Sequence, residues 1–165
     1  MRKPWVVDTN VGIVANDRPA DGSHLPGSVA ACAEFLKYIT RSGSIAVDMG
    51  WEIISEYQHK LRSSGQPGLG DAFLKWVLTN QANDERCLRV DSSQITVPAP
   101  LKSFDADDHK FIKTALGCPE PRIVEAVDGL WWKRRKDFEA AGIEINYLCP
   151  EEIKANSDSK HGPDE

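Results

Sequence analysis

Acids in this chain fall at positions where a fold would have to gather them. Asp8 ends the apolar run Trp5-Val6-Val7, Glu56 lies beside a helical stripe, Asp105, Asp107 and Asp108 crowd into one short stretch, and Asp128 closes the run from Arg122 to Val127. Carboxylates without accompanying His or Cys ligands are hard oxygen donors that suit Mg²⁺ or Mn²⁺. A cation held in this way activates water and neutralises charge on a phosphodiester under attack, and two ions about 4 Å apart can serve attack and departure separately. Capping of the helix that follows accounts for one of the three crowded acids. The others repel one another, and a cation or a strong donor network would relieve that cost. Asp8 has a plainer alternative as a cap for the segment after it. Glu56 has one too, as a surface partner of Lys60 at i+4.

Bringing these side chains to one place requires alternating strands and helices. Trp5, Val6 and Val7 are aromatic or β-branched and do not alternate with polar residues, which suits a strand covered on both faces. Ser44 to Asp48, Cys87 to Val90, Arg122 to Asp128 and Ile143 to Leu148 read as further strands. Helical spacing follows a cap at Ser28 through Cys32, Phe35, Leu36 and Ile39, and it recurs at Trp51, Ile54, Tyr57 and Leu61. The same spacing marks Ala72 to about Ala82, Phe111 to Leu116 and Gly129 to about Ala141, and a first helix is expected over Gly12 to Asn16. Repeated alternation predicts an α/β fold, a parallel sheet of about five strands with helices on both faces. Strands in such a sheet end at one edge, where ligands bind. Asp8 and Asp128 would share that edge, and Asp108 would enter it from a helix start.

The remaining sequence bounds the function. A chain of 165 residues fits one domain, expected over residues 1–155, with 156–165 as a disordered tail. The net charge of -5 argues against a broad basic field for nucleic acid, though not against a local patch. Lys133-Arg134-Arg135-Lys136 is the most basic run, either a solvated face or a grip for phosphates. Nothing resembles a signal peptide, since the apolar run after Lys3 meets Asp8 at once, and no stretch approaches a membrane span. A cytoplasmic protein with no membrane contact is expected. Cys32, Cys87, Cys118 and Cys149 show no metal or redox spacing and read as small buried hydrophobes. The loop from Asn16 to Ser23 is either a substrate contact or a connector. His109 reads as a helix-surface histidine, and the five tryptophans read as core. Neither a dinucleotide glycine fingerprint nor a phosphate loop is present.

In succession these motifs resemble the PIN domain, a nuclease family that includes prokaryotic toxins and RNA-processing factors. Val6-Val7-Asp8-Thr9-Asn10-Val11 is similar to its first-strand motif, Ile53-Ile54-Ser55-Glu56-Tyr57 to the helix carrying its second acid, and Asp105 to Phe111 with Ala115 to its third, selecting Asp108. The fourth departs from the usual Thr-x-Asp pattern: Glu125-Ala126-Val127-Asp128 precedes Gly129, so that Asp128, or alternatively Glu125, stands as the fourth acid. The similarity spans about residues 4 to 148. It implies a three-layer α/β/α sandwich with strand order 3-2-1-4-5 and a divalent-metal endonuclease, most often acting on RNA. Asp8, Glu56, Asp108 and Asp128 would hold Mg²⁺ or Mn²⁺ and Asn10 would brace Asp8. Such a protein could be the toxin of a toxin–antitoxin pair or a defence effector, with a homodimer and a small inhibitor protein as expected partners. The alternatives are a PIN-like scaffold that binds RNA or protein without cutting, and a nuclease or phosphoesterase acting on DNA or a small phosphate ester.

Overall fold

The apolar runs form strands that begin and end close to where their burial demands. In the computed structural model, which describes residues 3–17 and 23–164, the strands are β1 (Val6–Val7), β2 (Ile45–Asp48), β3 (Cys87–Val90), β4 (Arg122–Glu125) and β5 (Glu144–Tyr147). All the pairings are parallel. Val6, Val7, Ile45, Ala46 and Val47 are fully buried, as continuous apolar strands covered on both faces require. The expected single sheet of five strands is instead divided. β1, β4 and β5 form a three-stranded sheet in the order β1-β4-β5, and β2 and β3 form a two-stranded one. The two meet at one bridge between Trp5 and Ile45, with Trp5 N–H donating to Ser44 O at 3.0 Å and Ala46 N–H to Trp5 O at 2.9 Å. The ladder stops at that bridge because Val7 O, the next acceptor facing β2, accepts from the Tyr57 hydroxyl instead.

The helices are α1 (Thr9–Asn16), α2 (Pro26–Ser42), α3 (Glu52–Lys60), α4 (Leu69–Asn80), α5 (His109–Leu116), α6 (Gly129–Lys133), α7 (Arg135–Ala140) and α8 (Pro150–His161). α1, α2 and α4 pack on one another, while α5 lies along β1, β2 and β4. Three sequence expectations are corrected. The strand from Arg122 ends at Glu125 rather than Asp128, because Asp128 caps α6 by accepting from Leu130 N–H at 3.1 Å. The helix expected over Gly129 to Ala141 breaks at Arg134 (φ -96°, ψ 15°), whose guanidinium is drawn to Pro100 O, Ser103 and Asp137. Residues 156–161, expected in a disordered tail, continue α8. Asn156 Nδ2 donates to Val127 O at 2.8 Å, and Gly129 admits the helix so closely that a Cβ there would lie 2.4 Å from the Ser157 nitrogen.

The four cysteines are buried and free. Trp131 lies in the core, stacked on Phe138 at 4.8 Å, whereas Trp51 is 41 % exposed and so is not the core residue expected. The loop expected from Asn16 to Ser23 has its residues 18–22 outside the described part. Among the described residues, no helix is long and apolar enough to cross a membrane.

Candidate active site

Parallel strands bring three acids to one edge, and their partners separate the structural acid from the others. At the end of β2, Asp48 is buried with both oxygens engaged: Oδ1 accepts from Ile53 N–H at 2.8 Å and Oδ2 from Glu52 N–H at 2.9 Å. It caps α3. Asp8 holds the equivalent place after β1 and before α1, yet its side chain makes no cap hydrogen bond. Its backbone N–H continues the ladder to Val124 O at 3.1 Å. The β1–β4 register pairs Val6 with Ile123 and Val7 with Val124, so one step further sets Asp8 beside Glu125.

Asp8 is 2 % exposed and Glu125 is fully buried. Asp8 Oδ2 and Glu125 Oε2 have no hydrogen-bond partner, a costly state for buried carboxyl oxygens. Burial pushes the Asp8 carboxyl up to about 6; the proximity of Glu125 and of Asn10 opposes the rise, while the Glu56 and Asp128 charges add to it. Burial holds Glu125 well above the ordinary carboxylate range, helped by the Asp8 charge. Of the two, Glu125 is the one that burial holds more firmly to its proton. Glu125 Oε1 in turn accepts from Ala126 N–H at 3.0 Å.

The crowded acids divide by position. Asp105 caps the short 3₁₀ turn Ala106–Asp108 by accepting from Asp107 N–H at 3.0 Å, and both Asp105 and Asp107 are exposed. Asp108 is half-buried. Burial pushes its carboxyl up to about 8, with further lift from the charges of Asp8, Asp128, Asp105 and Glu56. Asp8, Glu56, Asp108 and Asp128 thus sit within one another's fields, although Asp128 also serves as the α6 cap. Asn10 is near Asp8, and no hydrogen bond between them is formed among the described residues.

Glu56 does not pair with Lys60. Its Oε2 accepts from the Thr9 hydroxyl and its Oε1 from Lys110 Nζ at 2.9 Å, a contact whose side chains are only 25 % and 16 % exposed. Thr9 and Lys110 were not singled out by sequence reasoning. Thr9 adjoins Asp8, but Lys110 sits in a run that reads as an ordinary helix start. His109 Nε2 lies 2.9 Å from Phe104 O, which ties the ring to the preceding loop.

Asp71 offers a control for what a satisfied buried acid looks like. It is 3 % exposed and accepts from Arg62 N–H, Gly68 N–H and Asn16 Nδ2 at 2.8 to 3.0 Å. Among the described residues, no group of three His, Cys, Asp or Glu side chains stands ready to hold a metal ion. Chemically, the cleft can accept protons near neutral pH, attract a cation to unpartnered oxygens and offer one ammonium to an anion. No family model, curated protein or solved structure matches the chain.

Proposed function

We propose that this protein is a divalent-metal-dependent endonuclease of the PIN-domain kind, cutting RNA phosphodiester bonds. The observation that carries the reading is the buried Asp8–Glu125 pair, with Asp8 Oδ2 and Glu125 Oε2 left unpartnered among further acids. Folding does not favour such groups, since an uncompensated buried carboxyl costs stability. The order of the acids along the chain supports the family resemblance.

The all-oxygen donor set and the orphaned buried oxygens fit Mg²⁺ or Mn²⁺. Asp8, Asp108 and Asp128 would hold the ion, with Glu56 as a further ligand. When bound, it would lower the pKa of water and neutralise charge on the scissile phosphate. Burial would keep the proton on Glu125 and the charge on Asp8, and Asn10 would orient that carboxylate. One of these acids would also position the attacking water. Lys110 would offer its ammonium to a phosphate oxygen. The resemblance extends the proposal to a toxin or defence effector, a homodimer and a small inhibitor.

Incubation with a mixed RNA pool in Mn²⁺, with the product ends mapped, tests the reading. Cleavage that leaves 3′-hydroxyl and 5′-phosphate ends, and that is lost in EDTA and in Asp8→Asn, is expected. Cleavage that persists in either would overturn it. One observation favours a second reading, a scaffold that binds RNA without cutting it: Glu56 already has two partners, Thr9 and Lys110. A Mn²⁺ titration separates the two, because a scaffold requires no ion at this cleft.

A further inference from the structure

The basic run Lys133 to Lys136 does not form a uniform solvated face. Arg134 is consumed by Asp137, Pro100 O and Ser103. The cations on either side of it turn instead to the segment Gly162-Pro163-Asp164, which follows α8. Lys133 Nζ donates to Gly162 O and Pro163 O, each at 3.2 Å, and lies 3.9 Å from Asp164 Oδ1. Arg135 holds Asp164 Oδ2 at 2.6 Å. Lys136 is exposed and near enough for its charge to act on the same carboxylate, which hydrogen bonding by Arg135 holds below the usual carboxylate range. Beside them the half-buried Trp132 ring has the Arg135 guanidinium 4.3 Å and the Lys154 ammonium 4.8 Å from its centroid.

We infer that Lys133 and Arg135 form a phosphodiester-binding site for single-stranded RNA, which the Asp164 carboxylate occupies in the free protein as a surrogate phosphate. Arg135 reaches the carboxylate through Nη2 while Nη1 donates to Trp132 O at 2.9 Å, so one charged N–H donor with the Lys133 ammonium beside it is what a phosphate oxygen would take over. The occupant is easily displaced. Its side chain is 45 % exposed, and exposed ion pairs contribute little, whereas a polyanion gains from releasing counterions. The site also lies along a plausible strand path: Asp128 begins α6 and Lys133 ends it, a rise of about 7 to 8 Å. Trp132 adds a ring on which a base can stack. RNA as the ligand rests on the proposed function, but the occupied cationic site does not.

Fluorescence anisotropy of a labelled single-stranded RNA 12-mer, measured in EDTA so that nothing is cut, tests the inference. Asp164→Asn should bind about three- to tenfold tighter than wild type in low salt, the scale of one or two exposed ion pairs. Its dependence of log K on log salt should steepen by about 0.7 for each phosphate gained. Adding Lys133→Ala and Arg135→Ala should abolish the gain. Single-stranded DNA of the same length should show the same gain, because the contact is to phosphate. Wild-type affinity and slope in Asp164→Asn, a gain that survives loss of both cations, or a gain confined to RNA would each overturn the inference. The gain without any metal-dependent cleavage by the wild type would sink the nuclease reading and leave this site standing; cleavage without the gain would do the reverse.

Discussion

Replacing Asp8 by Asn should stabilise the metal-free protein, and the gain should depend on pH. Burial raises the Asp8 pKa from 3.8 to about 6, so the folded state favours the protonated form. That contribution to stability is fully present below about pH 4 and is lost as pH rises through about 6. At about 1.4 kcal/mol per pKa unit, the ionised carboxylate costs up to roughly 3 kcal/mol at pH 8. Asn carries no charge to desolvate and keeps nearly the same shape. For a domain of this size 1 kcal/mol moves Tm by about 2 to 4 °C, so Asp8→Asn should melt up to about 6 to 12 °C above wild type in EDTA at pH 8. The difference should shrink toward zero near pH 4. Mn²⁺ should then raise the wild-type Tm at pH 8 and leave Asp8→Asn nearly unmoved, since only the carboxylate rewards an ion. Thermal melts by circular dichroism at both pH values, with and without Mn²⁺, provide the assay. A variant that melts below wild type at pH 8, or a gain equal at both pH values, would refute the electrostatic argument.

Two further substitutions address neighbours of the cleft. Asp48→Ala removes both acceptors that cap α3 and should cost about 1 to 3 kcal/mol in urea denaturation while leaving Mn²⁺ affinity unchanged; an unshifted midpoint would show that the cap contributes nothing. Lys110→Met removes the ammonium held 2.9 Å from Glu56 and should raise Mn²⁺ affinity severalfold by calorimetry, because the ion no longer competes with an internal cation. Unchanged affinity would place Glu56 outside the metal's reach.

Much of the fold was legible wherever local pattern and burial agree. Cys87–Val90 is the strand its residues suggested, and Val6, Val7 and Ile45 to Val47 are buried as unbroken apolar runs should be. Legibility failed where the decisive contact comes from elsewhere in the chain. Nothing near Arg134 announces a helix break, because the groups that capture its guanidinium include Pro100 O and Ser103, far away in sequence. The α8 helix buries little beyond Ile153 and Ser157, so its own sequence carries almost no amphipathic signal. Its position is set by the close approach to Gly129 and the Asn156 bond to Val127 O.

For the site, a strand-end acid is the readable signal, but its chemistry is decided by what reaches it. Asp8, Asp48 and Glu125 all close buried strands, and composition does not rank them. Asp48 is followed by a turn that brings two helix N–H groups back onto its carboxylate, which makes it a cap. Asp8 stands at the N-cap of α1, yet its carboxylate makes no bond to the helix N–H groups and lies next to Glu125 instead. In the sequence Glu125 stands only as an alternative to Asp128, since the stretch from Glu125 to Gly129 departs from the family pattern. The β1–β4 register, a tertiary fact, is what sets it against Asp8. An acid that stands at a helix start without capping it, facing a second buried carboxyl, is the arrangement that capping cannot explain, and it is that pair, rather than the number of acids nearby, whose cost a cation would relieve.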